Sequence, residues 1–192
     1  MPEYRAVAIA DSTLEGAYGH AIHKAFFGLP NVDLVALADP VPEPRSERAA
    51  EIGNPKEYSD YRDMLAAELP DLVSICPHHF EHHGRWLLEV IESGAKGIYI
   101  EKPITASLDE ADAVVAAAES AGTKIAVAHQ NRYRPGIRRV KQLVQDGALG
   151  TLRFMNANGK CDRRGGTHDL RVLGTHLLDV LRFIAGDVVW AT

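Results

Sequence analysis

Five short runs rich in valine, isoleucine and alanine recur along this chain, separated by segments long enough to form helices. RAVAIA (5–10), VDLVALAD (32–39), DLVSIC (71–76), GIYIE (97–101) and KIAVAH (124–129) are apolar almost throughout rather than alternating. Strands of that kind are covered on both faces, which requires helices above and below the sheet. Helices are predicted at about 17–28, 43–52, 60–68, 80–93 and 107–121. In the last of these, Ser107 and Glu110 fit a capping box and Gly122 follows as a stop signal. The alternation implies an α/β fold with a Rossmann-type, doubly wound parallel sheet.

From about residue 130 the rhythm changes. QNRYRPGIRRVKQLVQDGALG reads as a turn and a helix, TLRFMNANG as a strand with one exposed face, and RVLGTHLLDVLRFIAG as an amphipathic helix. Residues 1–129 are expected to form the first domain. Residues 130–192 would begin an α+β domain that is incomplete, so the chain is expected to be a fragment.

Formal net charge is −5, which gives no basic footprint and argues against nucleic acid as a partner. No apolar run approaches the length that spans a bilayer, so no membrane partner is expected. The opening MPEYRAVAIADS does not fit a signal peptide. With two cysteines, Cys76 and Cys161, a reducing cytoplasm is the expected location.

In a doubly wound sheet, ligands sit beyond the carboxyl ends of the strands. After the first strand comes ADSTLEGAYGH, with Gly16 and Gly19 spaced as in the second half of a dinucleotide fingerprint and Leu14 where its first glycine would stand. Gly16 would let the backbone approach a pyrophosphate, Gly19 would let the helix pack closely, and Ala17 and Tyr18 belong to the same turn. The helix N-terminus would supply free N–H groups. The loop is longer than the usual tight turn, and a longer loop has no need of the first glycine. After the second strand comes Asp39, placed to accept hydrogen bonds from the adenosine ribose hydroxyls. Asp39 favours NAD; NADP stays open because Arg45 is within loop reach.

After the fourth of these strands stands Glu101-Lys102-Pro103, a charged pair at a strand end, where a lysine can hydrogen-bond a substrate hydroxyl and lower its pKa. EKP, together with LVALADP, SICP, ESGAKGIYIEKPITASLDEADAVVAAAESAG, NRYRP, GALGTLRF and GTHLLDVLRFIAGD, resembles the Gfo/Idh/MocA oxidoreductases, typified by glucose–fructose oxidoreductase and inositol dehydrogenases. The resemblance implies an NAD(P)-dependent enzyme that moves hydride to or from a sugar, cyclitol or related polyol. It implies Lys102 and His176 as catalytic residues, and Cys76, Pro77, Glu101 and Lys102 around the nicotinamide. Asp179 would contact substrate, and a full-length chain is expected to be a homo-oligomer. Val172 stands where the family often has Asp, with Asp169 a turn upstream. Two alternatives are a non-redox lyase or glycosidase that uses bound NAD transiently, and a non-catalytic cofactor-binding subunit.

Two further stretches need a reading. In PHHFEHHG, His78-x-x-Glu81-His82 matches an inverted zinc-protease pattern on one helical face, but no third ligand is evident and no metal is expected. One of these histidines could instead contact cofactor or substrate. Arg132, after the last strand of the sheet, is a candidate for binding an acidic group on the substrate. CDRRGGTHD, with Gly165 and Gly166, reads as a loop that orders around ligand.

Overall fold

The computed structural model describes residues 2–159 and 170–190, and the chain divides into two compact units, Met1–Ala128 and His129–Thr192. The first unit runs β1 (Tyr4–Ile9), β2 (Val32–Ala38), α1 (Pro42–Ala50), β3 (Lys56–Tyr58), α2 (Tyr61–Glu68), β4 (Leu72–Ile75), α3 (His83–Glu92), β5 (Gly97–Ile100), α4 (Leu108–Ala121) and β6 (Lys124–Val127). All six strands are parallel, in the order β3-β2-β1-β4-β5-β6. The expected doubly wound sheet is present.

Alternate residues of each strand face opposite sides of the sheet, so the strands feed two cores. Val7, Ile9, Val73, Ile75, Ile98 and Ile100 pack with Met64 of α2, Trp86 and Val90 of α3, and Val114 of α4. Ala8, Ala10 and Leu37 face the other way, onto Ile22, Ala49, Ile52 and Cys76. Burying each large apolar side chain contributes about 1.5–3 kcal/mol relative to exposure, which makes the strand runs the main stabilising feature of the unit. At the start of α4, Ser107 Oγ accepts from the Glu110 N–H at 3.2 Å. The Glu110 carboxylate reaches one residue further back than in a simple capping box, to the Ala106 N–H at 3.1 Å. Gly122 closes the helix in the left-handed region, at φ 74°.

Two elements differ from expectation. Strand β3 has the sequence Lys-Glu-Tyr, short and charged, as suits the sheet edge it occupies. The helix expected at 17–28 is instead a six-residue 3-10 segment, Gly19–Lys24, with His20 and Ala21 in the left-handed region. Nine residues, 10–18, therefore separate β1 from the next element.

In the second unit, a 3-10 turn (Gln130–Tyr133) leads into α5 (Pro135–Gln145), and a π-helical turn (Leu170–Gly174) leads into α6 (Thr175–Ala185). Residues 151–159, expected as a strand, take no regular secondary structure, because no described strand is present to pair with them. Cys161, Gly165, Gly166 and Asp169 lie outside the described residues.

Candidate active site

The connection direction reverses between β1 and β4, so the crevice of this sheet lies at their carboxyl ends. Backbone hydrogen bonds knit that edge together. The Cys76 N–H donates to Ile9 O at 2.9 Å, the Gly19 N–H to Cys76 O at 3.0 Å, and the His78 N–H to Gly16 O at 3.0 Å. The loop after β1 is thus fastened to the segment after β4. Leu14, at the place of the first fingerprint glycine, packs on the core beneath α2 and α3. A nine-residue loop has room for that side chain, where a tight turn would not.

On the β2 side, the fully buried Asp39 carboxylate anchors the same loop. Its Oδ1 accepts from the Ser12 N–H at 3.1 Å and the Val41 N–H at 2.9 Å, and its Oδ2 accepts from the Ser12 hydroxyl at 2.6 Å. Beside it, the Tyr18 hydroxyl is buried without a hydrogen-bond partner. Burial, and then the neighbouring Asp39 carboxylate, push this phenol above its ordinary value. Arg45 is already engaged, donating to the Asp39 carbonyl at 2.7 Å and pairing with Glu57 at 3.0 Å. A cavity of about 180 Å³ opens next to this edge, lined in part by Asp11, Asp39, Pro40, Tyr61 and Trp86.

On the β5 side, Glu101 and Lys102 are 0% and 1% exposed, in contrast to the usual surface ion pair. Glu101 Oε1 lies 2.5 Å from His20 Nδ1, and Oε2 accepts from the Lys102 N–H at 3.0 Å. The two glycines serve a close approach at this point. A Cβ on Gly16, whose φ is +75°, would come within 2.8 Å of His78 Cδ2. One on Gly19 would come within 2.8 Å of both Glu101 Oε1 and the His78 ring.

Several candidate residues take roles other than those expected. The free N–H groups of a helix N-terminus are not found here, because the 3-10 segment starts at Gly19 and the Gly19 N–H is bonded to Cys76 O. Ala17 is buried beside Tyr18. The Cys76 side chain lies in the second core, where burial raises its thiol pKa, and its backbone carbonyl accepts from the Gly19 N–H. The Pro77 carbonyl lies 2.8 Å from His83 Nε2, while His83 Nδ1 lies 2.7 Å from Pro103 O; this buried ring therefore bridges the loops after β4 and β5. His78, Glu81 and His82 do not share a helical face, because α3 begins only at His83. His82 lies against Trp86 and His78 turns to Glu101.

In the second unit, Arg132 and Asp179, both expected to meet substrate, bind each other. The guanidinium Nε donates to both carboxylate oxygens at 2.8 and 2.9 Å, and Nη2 donates to Oδ1 at 2.5 Å. That pairing raises the Arg132 pKa. The rings of His176 and His129 meet edge to face, 5.8 Å apart.

Residues 14–129 match the oxidoreductase family with an NAD-binding Rossmann fold, Gfo/Idh/MocA. The chain belongs to this family. Among relatives, it is 31% identical over 174 residues to a D-apiose dehydrogenase of Paraburkholderia graminis, covering 85% of this chain and 46% of that protein. It is 25% identical over 187 residues to a D-glucoside 3-dehydrogenase of Escherichia coli, covering 89% of this chain and 52% of that protein. The fold matches a crystal structure of myo-inositol 2-dehydrogenase from Lactobacillus plantarum with TM-score 0.79 and 20% identity, covering 96% of this chain and 57% of that one. The chain spans about half the length of the curated relatives it matches. The described residues fit the family's cofactor at the Asp39 end, where a buried carboxylate stands beside an orphaned hydroxyl. No helix among the described residues is long and apolar enough to cross a membrane.

The buried His23 sets a pH response. Burial lowers its pKa, against the opposing pull of Glu51. In the unfolded chain it would titrate near the ordinary value of about 6.5. As pH falls below that value the unfolded state takes up protons that the folded state refuses, so stability falls. Glu51, held down to about 2 by Lys24 and His23, loses its stabilising effect only below the ordinary carboxylate range and does not act in this window. The urea midpoint should therefore be lower at pH 5.5 than at 7.5, with a smaller drop in His23→Gln. A midpoint that is equal or higher at pH 5.5 would contradict this.

Proposed function

We propose that this chain forms the dinucleotide-binding part of an NAD-dependent oxidoreductase acting on a CH–OH group of a sugar, cyclitol or related polyol. The observation that carries the reading is the burial of Glu101 and Lys102 just past the carboxyl end of β5, with the Glu101 carboxylate against Gly19 of the glycine loop. A buried lysine in this position is suited to hold and withdraw the proton of a substrate hydroxyl, because low dielectric strengthens its field. NAD, when bound, supplies the hydride acceptor. Asp39 and Tyr18 receive the ribose hydroxyls. A 2′-phosphate would meet the buried Asp39 carboxylate, and Arg45 is already engaged elsewhere, which favours NAD over NADP. The family pattern gives His176 a second proton-handling role. The names of relatives, D-apiose dehydrogenase, D-glucoside 3-dehydrogenase and scyllo-inositol 2-dehydrogenase among them, support the substrate class. The buried free thiol of Cys76 is compatible with action in the cytoplasm.

The test is an assay of the full gene product carrying this sequence, with NAD and a panel of aldoses, glycosides and cyclitols. Steady NADH formation with at least one member is expected. Product formation without net NADH, or NAD binding with no turnover across the panel, would count against the reading.

A further inference from the structure

Glu101 is approached by two imidazoles from different parts of the chain. His20 comes from the loop after β1, with Nδ1 at 2.5 Å from Oε1, and His78 from the segment after β4, with Nδ1 at 3.7 Å from Oε2. The ligand atoms of the three side chains all lie within 4.8 Å of one another, and they form the one such group among the described residues. His78 Nδ1 is buried and has no hydrogen-bond partner. The two rings stand edge to face, 5.2 Å between centroids. The carboxylate is fully buried, while both imidazoles are about one-third exposed, so the group has a floor and an open mouth.

The backbone is arranged to hold this group. His20 adopts φ 46° and ψ 23°, a left-handed conformation that strains a residue with a side chain. Gly16 and Gly19 lack the Cβ atoms that would collide with the His78 ring. Strain and close approach thus converge on the three side chains.

We propose that His20, His78 and Glu101 form a binding site for a divalent transition-metal ion of the zinc class. Two imidazole nitrogens and one carboxylate oxygen are a recurrent three-ligand set for zinc, which leaves a fourth position for water or another ligand. Tetrahedral zinc places its ligand atoms about 3.4 Å apart, so binding would part His20 from Glu101 at 2.5 Å and draw His78 in from 3.7 Å. The nitrogen donors favour zinc or cobalt over magnesium and calcium, which prefer oxygen. An ion in this site would hold the His78 ring over Gly16 and Gly19. If the glycine pair receives the cofactor, as the functional reading above requires, metal and dinucleotide oppose each other.

The experiment titrates Zn²⁺, and Co²⁺ as a spectroscopic probe, into chelator-treated protein. Calorimetry and the visible cobalt bands provide the readouts. One ion per chain is expected, with affinity at least about tenfold weaker in His78→Ala, Glu101→Gln and His20→Gly, and Mg²⁺ failing to compete. His20→Gly is the decisive variant: glycine relieves the left-handed backbone but takes a partner from the buried Glu101 carboxylate, so a lower thermal midpoint of metal-free protein is expected, and circular dichroism at the titration temperature must show it folded. The double variant His79→Ala/His82→Ala should bind as wild type does. Absence of stoichiometric binding, or binding that survives His20→Gly and His78→Ala, would overturn the site and leave a plain His20–Glu101 ion pair. Saturating Zn²⁺ should weaken NADH binding at least about tenfold in wild type and not in His20→Gly. Zinc binding with unchanged NADH affinity overturns the opposition alone, whereas failure of the metal-free protein to bind NADH counts against the cofactor reading.

Discussion

Replacing Asp39 by alanine should lower the stability of the first unit by about 3 kcal/mol, as read from urea unfolding, and weaken NADH binding by ten- to a hundredfold. Three hydrogen bonds converge on this buried carboxylate, from the Ser12 N–H, the Ser12 hydroxyl and the Val41 N–H. Bonds to a charged acceptor contribute about 1.5–3 kcal/mol each, and water entering the space left by the side chain offsets part of their loss. The substitution releases the loop of residues 10–18 from β2 and removes the acceptor proposed for the ribose hydroxyls. Ser12→Ala separates the two effects, since it loses one side-chain bond and keeps the carboxylate; a modest stability loss with nearly normal NADH binding is expected. Equal loss of NAD and NADP affinity in Asp39→Ala would argue against a ribose contact.

Lys102→Met should reduce kcat of the full gene product by about a thousandfold while leaving NADH affinity largely intact, because positioned proton transfer accounts for about 10²–10⁴ in rate. Methionine matches the buried lysine stem in size, so the unit should still fold. Only the charge and its proton are removed from a position that is 1% exposed. Retained turnover would remove Lys102 from the proposed chemistry. A parallel loss of NADH affinity would make it a cofactor-positioning residue instead.

Most of the sheet is legible in the sequence because its central strands are buried on both faces, leaving apolar runs such as RAVAIA and DLVSIC. The edge strand Lys56–Tyr58 leaves no such run, since one side of it faces solvent and its residues are charged or aromatic. Helix α4 is legible through local chemistry, with Ser107 opening it and Gly122 ending it. The segment after β1 is not. Its apolar spacing resembles a helix, but the Gly19 N–H is bonded to the Cys76 carbonyl, His20 meets the Glu101 carboxylate, and His20 and Ala21 take left-handed geometry. Tertiary contacts override local preference there.

The candidate site follows the same division. Asp39, Glu101 and Lys102 can be read from the sequence because each stands at a strand end in a fold whose ligands gather there. Ser12, His20 and His83 cannot, since their roles depend on partners 27, 81 and 20 residues away. The one available signal for His20 was a histidine directly after Gly19, at the crevice edge. Arg132 reads as a free cation in NRYRP, yet Asp179, 47 residues on, neutralises it. A pair so distant leaves no local pattern.

The account rests on a dinucleotide bound at the carboxyl edge of this sheet with its ribose at Asp39. Titration of metal-free protein with NADH and with NADPH, followed by nicotinamide fluorescence, tests it most directly. Saturable binding of NADH, at least about tenfold tighter than NADPH and lost together with the Asp39 carboxylate, is predicted. Preference for NADPH, or NADH binding that is indifferent to Asp39→Ala, would contradict it.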